Sequence, residues 1–172
     1  KNVFVEKPMC RSNGELKQIK KSLARHSHLH LASNLVLRAA PVYGWLRDSI
    51  RNGDFGEIYA IDGDYLYGRL HKITDGWRKD VDNYSVMQGG GVHLIDLMLW
   101  LTGQRPSDVI SQGNRICTRG TAFQQCDFMA STFSNVLPMI AISMFMKTTW
   151  VMCGAFFGFA SRAQESWRGL SP

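Results

Sequence analysis

The run Val3-Phe4-Val5-Glu6-Lys7-Pro8 carries the reading of the fold. Val3, Phe4 and Val5 are consecutive β-prone apolar residues with no polar alternation, the pattern of a strand covered on both faces in a parallel sheet. Such a strand needs neighbours, and none precedes it in this sequence. The expectation is the closing strand of an α/β sheet whose other strands lie upstream, with the chain a fragment of a longer protein. The apolar run is too short for the core of a signal peptide.

Outward from that strand, helices and strands alternate. Ser12-Asn13-Gly14-Glu15 is a capping box, and Leu16, Ile19 and Leu23 give the helix behind it one apolar stripe, opposite Lys17, Lys20, Lys21 and Arg25. Leu29 to Leu37 reads as a strand. Val42 to Asn52 reads as a helix stopped by Gly53. Ile58 to Tyr67 alternates in its later part, as a half-exposed strand does. Thr74 to Gln88 is polar and reads as a loop. Gly89-Gly90-Gly91 opens a helix from Val92 to about Leu101, with Gly103 as its C-cap. Asp108 to Ile116 and Phe128 to Phe133 read as two more strands. The class is α/β (α+β).

The last part of the chain differs. From Phe128 to Gln164 the charged residues are Lys147 and Arg162, and no clean alternation runs through it. Val136 to Ala160 is long enough to span a bilayer if helical. Pro138 near its start and Lys147 near its middle oppose that, because a charge at mid-membrane is costly. The expectation is a terminal segment outside any sheet, with a membrane anchor over 136–160 as an alternative.

Composition narrows the function classes. The 172 residues are 45% hydrophobic and 20% charged, enough to build a core and unlike a disordered chain. The net charge of +6 is concentrated in residues 1–25, where Lys1, Lys7, Arg11, Lys17, Lys20, Lys21 and Arg25 outweigh Glu6 and Glu15. A nucleic-acid protein spreads its basic residues in a stripe, so no nucleic-acid partner is expected. Cys10, Cys117, Cys126 and Cys153 form no CxxC pair and no metal-ligand spacing, and read as free thiols in a reducing compartment.

Two places can carry chemistry. Lys7 stands past the carboxyl end of the predicted strand, where open α/β sheets bind ligands, and Pro8 restricts its backbone. Beside Glu6 it can serve as a cation, hydrogen-bond donor or general acid; a strand-end lysine in water is the alternative. The second place is Gly89 to Trp100. That helix is apolar nearly all round and so buried, and its polar side chains, His93 and Asp96, share a face that Trp100 continues. His93 is expected in the first turn, where the helix dipole lowers its pKa and a neutral imidazole can exchange a proton. Free N–H groups at such a helix start attract oxygen atoms. A buried His93–Asp96 pair that satisfies itself is the alternative. Trp77-Arg78 either presents a ring and a guanidinium to a ligand or is an exposed loop. His26, His28 and His30 alternate, but no carboxylate or cysteine nearby completes a metal set, so no metal is expected. The sequence holds no GxGxxG fingerprint.

Taken in order, these pieces resemble the Gfo/Idh/MocA family of NAD(P)-dependent oxidoreductases, from about Asn2 to Phe133. The resemblance rests on Val5-Glu6-Lys7-Pro8, on Asn34 with Arg38 and Pro41, on Asn52-Gly53-Asp54-Phe55-Gly56-Glu57-Ile58, on Trp77-Arg78, and on Gly91-Val92-His93-Leu94-Ile95-Asp96 with Trp100-Leu101-Thr102-Gly103. It implies the last strand and helix of a Rossmann domain over 1–33, a partial C-terminal α/β domain with a largely antiparallel open sheet over 34–135, and an unassigned apolar tail over 136–172. It also implies hydride transfer between a nicotinamide and a hydroxyl or keto carbon of a sugar, cyclitol or nucleotide sugar. NAD or NADP would be the cofactor of the full-length parent, a cytoplasmic homo-oligomer with no membrane partner. By the same resemblance Lys7 and His93 are catalytic, Glu6, Lys7 and Pro8 meet the cofactor, and Arg38, Trp77, Arg78 and Asp96 meet the substrate. The family's Asp-x-Gly-x-His motif is matched by Gly91 and His93, but its aspartate position is Gly89 here; Asp96, one turn on, is the expected partial substitute. Without the GxGxxG turn, this chain alone is expected to bind neither NAD nor NADP. A non-catalytic binding or assembly module keeping only the C-terminal domain surface is the alternative.

Overall fold

The computed structural model describes residues 1–82 and 84–134, and the backbone of 139–146 and 154–162. Strand β1 (Val3–Val5) pairs in parallel with β2 (Leu31–Ser33), and helix α1 (Asn13–Arg25) connects them. The capping box forms with a change of partner. Ser12 Oγ accepts from the Glu15 amide at 3.2 Å, while the Glu15 carboxylate reaches past Ser12 to the Arg11 amide at 2.6 Å.

Two expectations change here. The strand predicted over Leu29–Leu37 is only β2, and the chain then tightens into a 3-10 turn over Val36–Ala39. Asn34 pins that departure: its amide bonds the Val5 carbonyl at 2.9 Å and its side chain bonds Glu6 at 2.7 Å. Nor is β1 covered on both faces. Phe4 is 68% exposed, and among the described residues only β2 pairs with the strand.

Helix α2 (Pro41–Asn52) starts on a proline, whose missing N–H costs nothing there, and stops at Gly53 with φ of 80°. The second sheet contains β3 (Glu57–Tyr67), β4 (Asp108–Asn114), β5 (Phe128–Ser134), β6 (Met139–Met146) and β7 (Gly154–Arg162), in the order β4-β5-β6-β3-β7. It is largely antiparallel, as expected; only β3 and β6 run parallel.

This sheet corrects the reading of the tail as lying outside it. The backbone of β6 pairs with β3 from Ala60–Met139 to Tyr67–Met146 and with β5 on its other side, and β7 pairs with β3. A strand flanked on both sides needs no polar alternation. The loss of charge that looked foreign to a sheet is what an internal strand such as β6 tolerates. Among the described residues no helix is long and apolar enough to cross a membrane.

The segment read as a loop over Thr74–Gln88 starts at the end of a helical turn, α3 (His71–Thr74), and holds a 3-10 turn over Trp77–Asp80. Helix α4 (Val92–Thr102) follows and ends at Gly103, φ 70°. Leu94 and Met98 join Ile61 of β3 and Phe133 of β5 in one core cluster; Leu97 and Leu101 join Leu46 of α2 in another. Two stripes at spacing four, packed in different directions, explain why α4 is apolar nearly all round.

The glycine run does not open that helix. Met87–Gly91 forms a π-helical turn continuous with α4, and helical structure begins at Val86. Its cap is a second capping box: Ser85 Oγ accepts from the Gln88 amide at 3.2 Å, and Gln88 Oε1 accepts from the Ser85 amide at 3.3 Å.

Candidate functional site

Lys7 reaches from the end of β1 to the glycine run, where its Nζ donates to the Gly89 carbonyl oxygen. Beside this bond lies a cavity of about 150 Å³ whose walls include Lys7, Tyr65, Tyr67, Arg78, Tyr84 and Gly89. Tyr84 belongs to the core, at 7% exposure, and its hydroxyl oxygen accepts from Arg78 Nε at 3.1 Å. The Arg78 guanidinium lies 4.5 Å from the centre of the Trp77 ring, which in turn meets Tyr84 edge-on at 6.2 Å. Trp77 itself is 62% exposed and stands outside the cavity lining, bracing Arg78 from the solvent side.

The electrostatics follow from this packing. Burial lowers the Lys7 pKa below the usual 10.5, the Arg78 charge lowers it further, and Glu6 opposes both. Glu6 is exposed and held by Asn34 Nδ2 at 2.7 Å. Pro8 follows Lys7 across a cis peptide and does not line the cavity.

His93 is buried, and its Nδ1 has no hydrogen-bond partner among the described residues. Its pKa is pushed below 6.5, first by burial and then by the Lys7 charge, against smaller opposing effects of Asp96 and Glu6. The direction matches the sequence expectation but the cause does not. The helix begins at Val86, roughly two turns earlier, where its dipole no longer bears on residue 93.

Asp96 does not pair with His93. Its two oxygens take a fork from Arg38, Nε at 2.7 Å and Nη2 at 2.5 Å. Arg38 and Asp96 line a separate cleft with Arg51, Trp100 and Arg105, away from the Lys7 cavity, and Arg47 stacks on Trp100 at 4.5 Å. The sequence-expected residues therefore divide. Lys7 and Arg78 share one cavity, and His93 is close enough for Lys7 to act on its charge. Arg38 and Asp96 brace each other elsewhere.

Sequence reasoning missed Tyr84, Tyr65 and Tyr67. For Tyr84 the signal was present: Ser85-Val86-Met87-Gln88 is a capping box, which places Tyr84 immediately before a helix start. Tyr65 and Tyr67 have nearly parallel rings 6.2 Å apart. Among the described residues no group of three or more His, Cys, Asp or Glu is placed to hold a metal ion.

The sequence profile of the GFO/IDH/MocA C-terminal domain matches residues 43–160. No curated protein matches the sequence. Solved structures share its fold. Myo-inositol 2-dehydrogenase from Lactobacillus plantarum is 21% identical with a TM-score of 0.75, over 84% of this chain and 44% of its own. Scyllo-inositol dehydrogenase from Lactobacillus casei, with bound NAD(H) and scyllo-inositol, is 16% identical with a TM-score of 0.79, over 99% of this chain and 53% of its own. A levoglucosan dehydrogenase in complex with NADH is 17% identical with a TM-score of 0.80, over 94% and 45%. The chain spans about half the length of these structures.

Proposed function

The chain belongs to the Gfo/Idh/MocA family, and from that premise we propose that it supplies the substrate side of an NAD(P)-dependent oxidoreductase acting on a hydroxyl or keto carbon of a sugar, cyclitol or nucleotide sugar. The observation that carries this reading is the Lys7–Gly89 bond beside a small cavity. It joins the end of a parallel strand to the element that holds His93.

The residues present do not fit a whole dinucleotide. The sequence holds no GxGxxG turn, the close backbone approach that a pyrophosphate uses at a helix start. Binding of the cofactor by this chain alone is therefore not proposed, and no step is routed through it. When bound in the longer protein, the nicotinamide would take or give the hydride.

The chain's own part is proton work at the substrate oxygen. Lys7, already donating to one carbonyl oxygen, can turn to the oxygen on the reacting carbon and polarise or protonate it. Its lowered pKa makes that proton easier to release. His93, neutral near pH 7, can hold or accept a proton in a dry setting. The proposed division has 1–33 as the remnant of the dinucleotide-binding domain, with the substrate domain beginning at Asn34.

The test joins this chain to the cofactor-binding half of a family member. NADH or NADPH formation is then followed with a panel of inositols, aldoses and nucleotide sugars. Turnover that needs both Lys7 and His93 supports the reading. Saturable binding of panel members with no reduction of either cofactor supports instead the non-catalytic module.

A further inference from the structure

Among the described residues, the polar side chains lining the cavity beside Lys7 are Lys7, Arg78 and three tyrosines, with no carboxylate. Lys7 brings an ammonium and Arg78 a guanidinium. Arg78 uses Nε on Tyr84 and its flat face on Trp77, which leaves its two terminal nitrogens; neither ion pair found among the described residues includes it. A guanidinium can only donate, so the Tyr84 oxygen accepts from it and the phenol proton is left to donate elsewhere. We propose that the substrate carries a carboxylate, that Arg78 and Tyr84 seat it, and that the reacting carbon then lies toward Lys7.

This inference rests on the function proposed above and narrows the substrate class to sugar acids of the uronate or aldonate kind. Two positive groups face one small space, and the Arg78 charge already makes protonated Lys7 harder to keep. An anion between them removes that repulsion and gains charge-assisted, fork-shaped hydrogen bonds. A neutral polyol makes only uncharged-acceptor hydrogen bonds there and leaves the repulsion between Lys7 and Arg78 in place. At about 150 Å³ the space is below the roughly 300 Å³ of pockets for drug-sized ligands, which suits one small ring. The same donors suit a phosphate, so the experiment separates the two anions.

The test titrates the chain with D-glucuronate, D-glucose and inorganic phosphate, followed by calorimetry and by tryptophan fluorescence. Glucuronate is expected to bind at least about tenfold more tightly than glucose, as charge-assisted bonds are roughly twice as strong as neutral ones, and more tightly than phosphate. Arg78→Gln is expected to remove the preference while glucose binding persists, which also shows that the variant folds. Tyr84→Phe, which keeps the ring, is expected to reduce the preference several-fold. Equal binding of glucose and glucuronate, or a preference that survives Arg78→Gln, overturns the inference and leaves the oxidoreductase reading intact. Tighter binding of phosphate overturns it in favour of a phosphate site. Binding of neither sugar overturns it too, and the turnover assay then decides the broader reading separately.

Discussion

A methyl group built on Gly89 would lie 2.1 Å from the hydroxyl oxygen of Tyr84 and 3.0 Å from its ring carbon Cζ. The phenol occupies the space that any side chain at position 89 needs. Gly89 therefore does two things at once: its carbonyl receives Lys7 and its bare Cα admits Tyr84. Where the resemblance to the family motif implies an aspartate, this chain has a glycine and a tyrosine reaching over it.

Gly89→Ala is accordingly expected to cost about 1–3 kcal/mol, the usual penalty of overpacking. In a Tyr84→Phe background the nearest atom is gone, and the cost of Gly89→Ala should fall. Urea unfolding of the four proteins in this cycle measures the coupling, and additive effects would contradict the contact.

Lys7→Ala and His93→Ala, in the protein joined to a cofactor-binding half, should each lower turnover about 100- to 10,000-fold, the range of a general acid or base. Cofactor affinity should change little. Near-full activity of either variant would remove that residue from the proposed proton work.

The Lys7 ammonium should titrate below 10.5. Arg78→Met should move it up by removing a neighbouring positive charge, and Glu6→Gln should move it further down. Side-chain nitrogen or Cε chemical shifts followed against pH read all three directions.

His93 links stability to pH. Its folded pKa is depressed below the ordinary 6.5, so the unfolded chain binds the proton more readily. The stability held above pH 6.5 should be lost as pH falls from 6.5 through the folded pKa, and flatten below it. His93→Gln should remove this part of the acid sensitivity. Urea midpoints compared at pH 7.5 and pH 5 test it: the difference should be smaller in the variant.

Asp96→Asn should destabilise the fold by about 0.5–1 kcal/mol, because the Arg38 guanidinium that loses its charged partner is 44% exposed and water can replace part of the bond. Since Asp96 holds Arg38 and not the imidazole, the His93 pKa should move only slightly, and downward. A large shift in the His93 titration would mean that the two side chains pair after all.

Much of the scaffold is legible in local sequence because its causes are local. Ser12 with Glu15, Gly53 and Gly103 mark their helix ends through bonds and backbone angles that a few neighbouring residues dictate. The apolar circumference of α4 announces a buried helix, and β4 and β5 lie where β-prone runs place them. The tail misleads because an internal strand and a strandless apolar segment read alike until the neighbours are known.

In the site, the sequence by itself determined that Lys7 follows a strand and that His93 stands on a buried helix, since each depends on residue type and spacing. Only the tertiary structure decided the partners. It brought Lys7 across to Gly89, a separation of 82 residues, and Arg38 to Asp96 across 58. It also aimed Tyr84 into the space above Gly89. No periodicity encodes such pairings, because they depend on how β1 and the turn at Val36–Ala39 pack against α4 and its π-helical entry. The same packing, through burial and the charge of Lys7, sets the protonation of His93 that the helix dipole had seemed to explain.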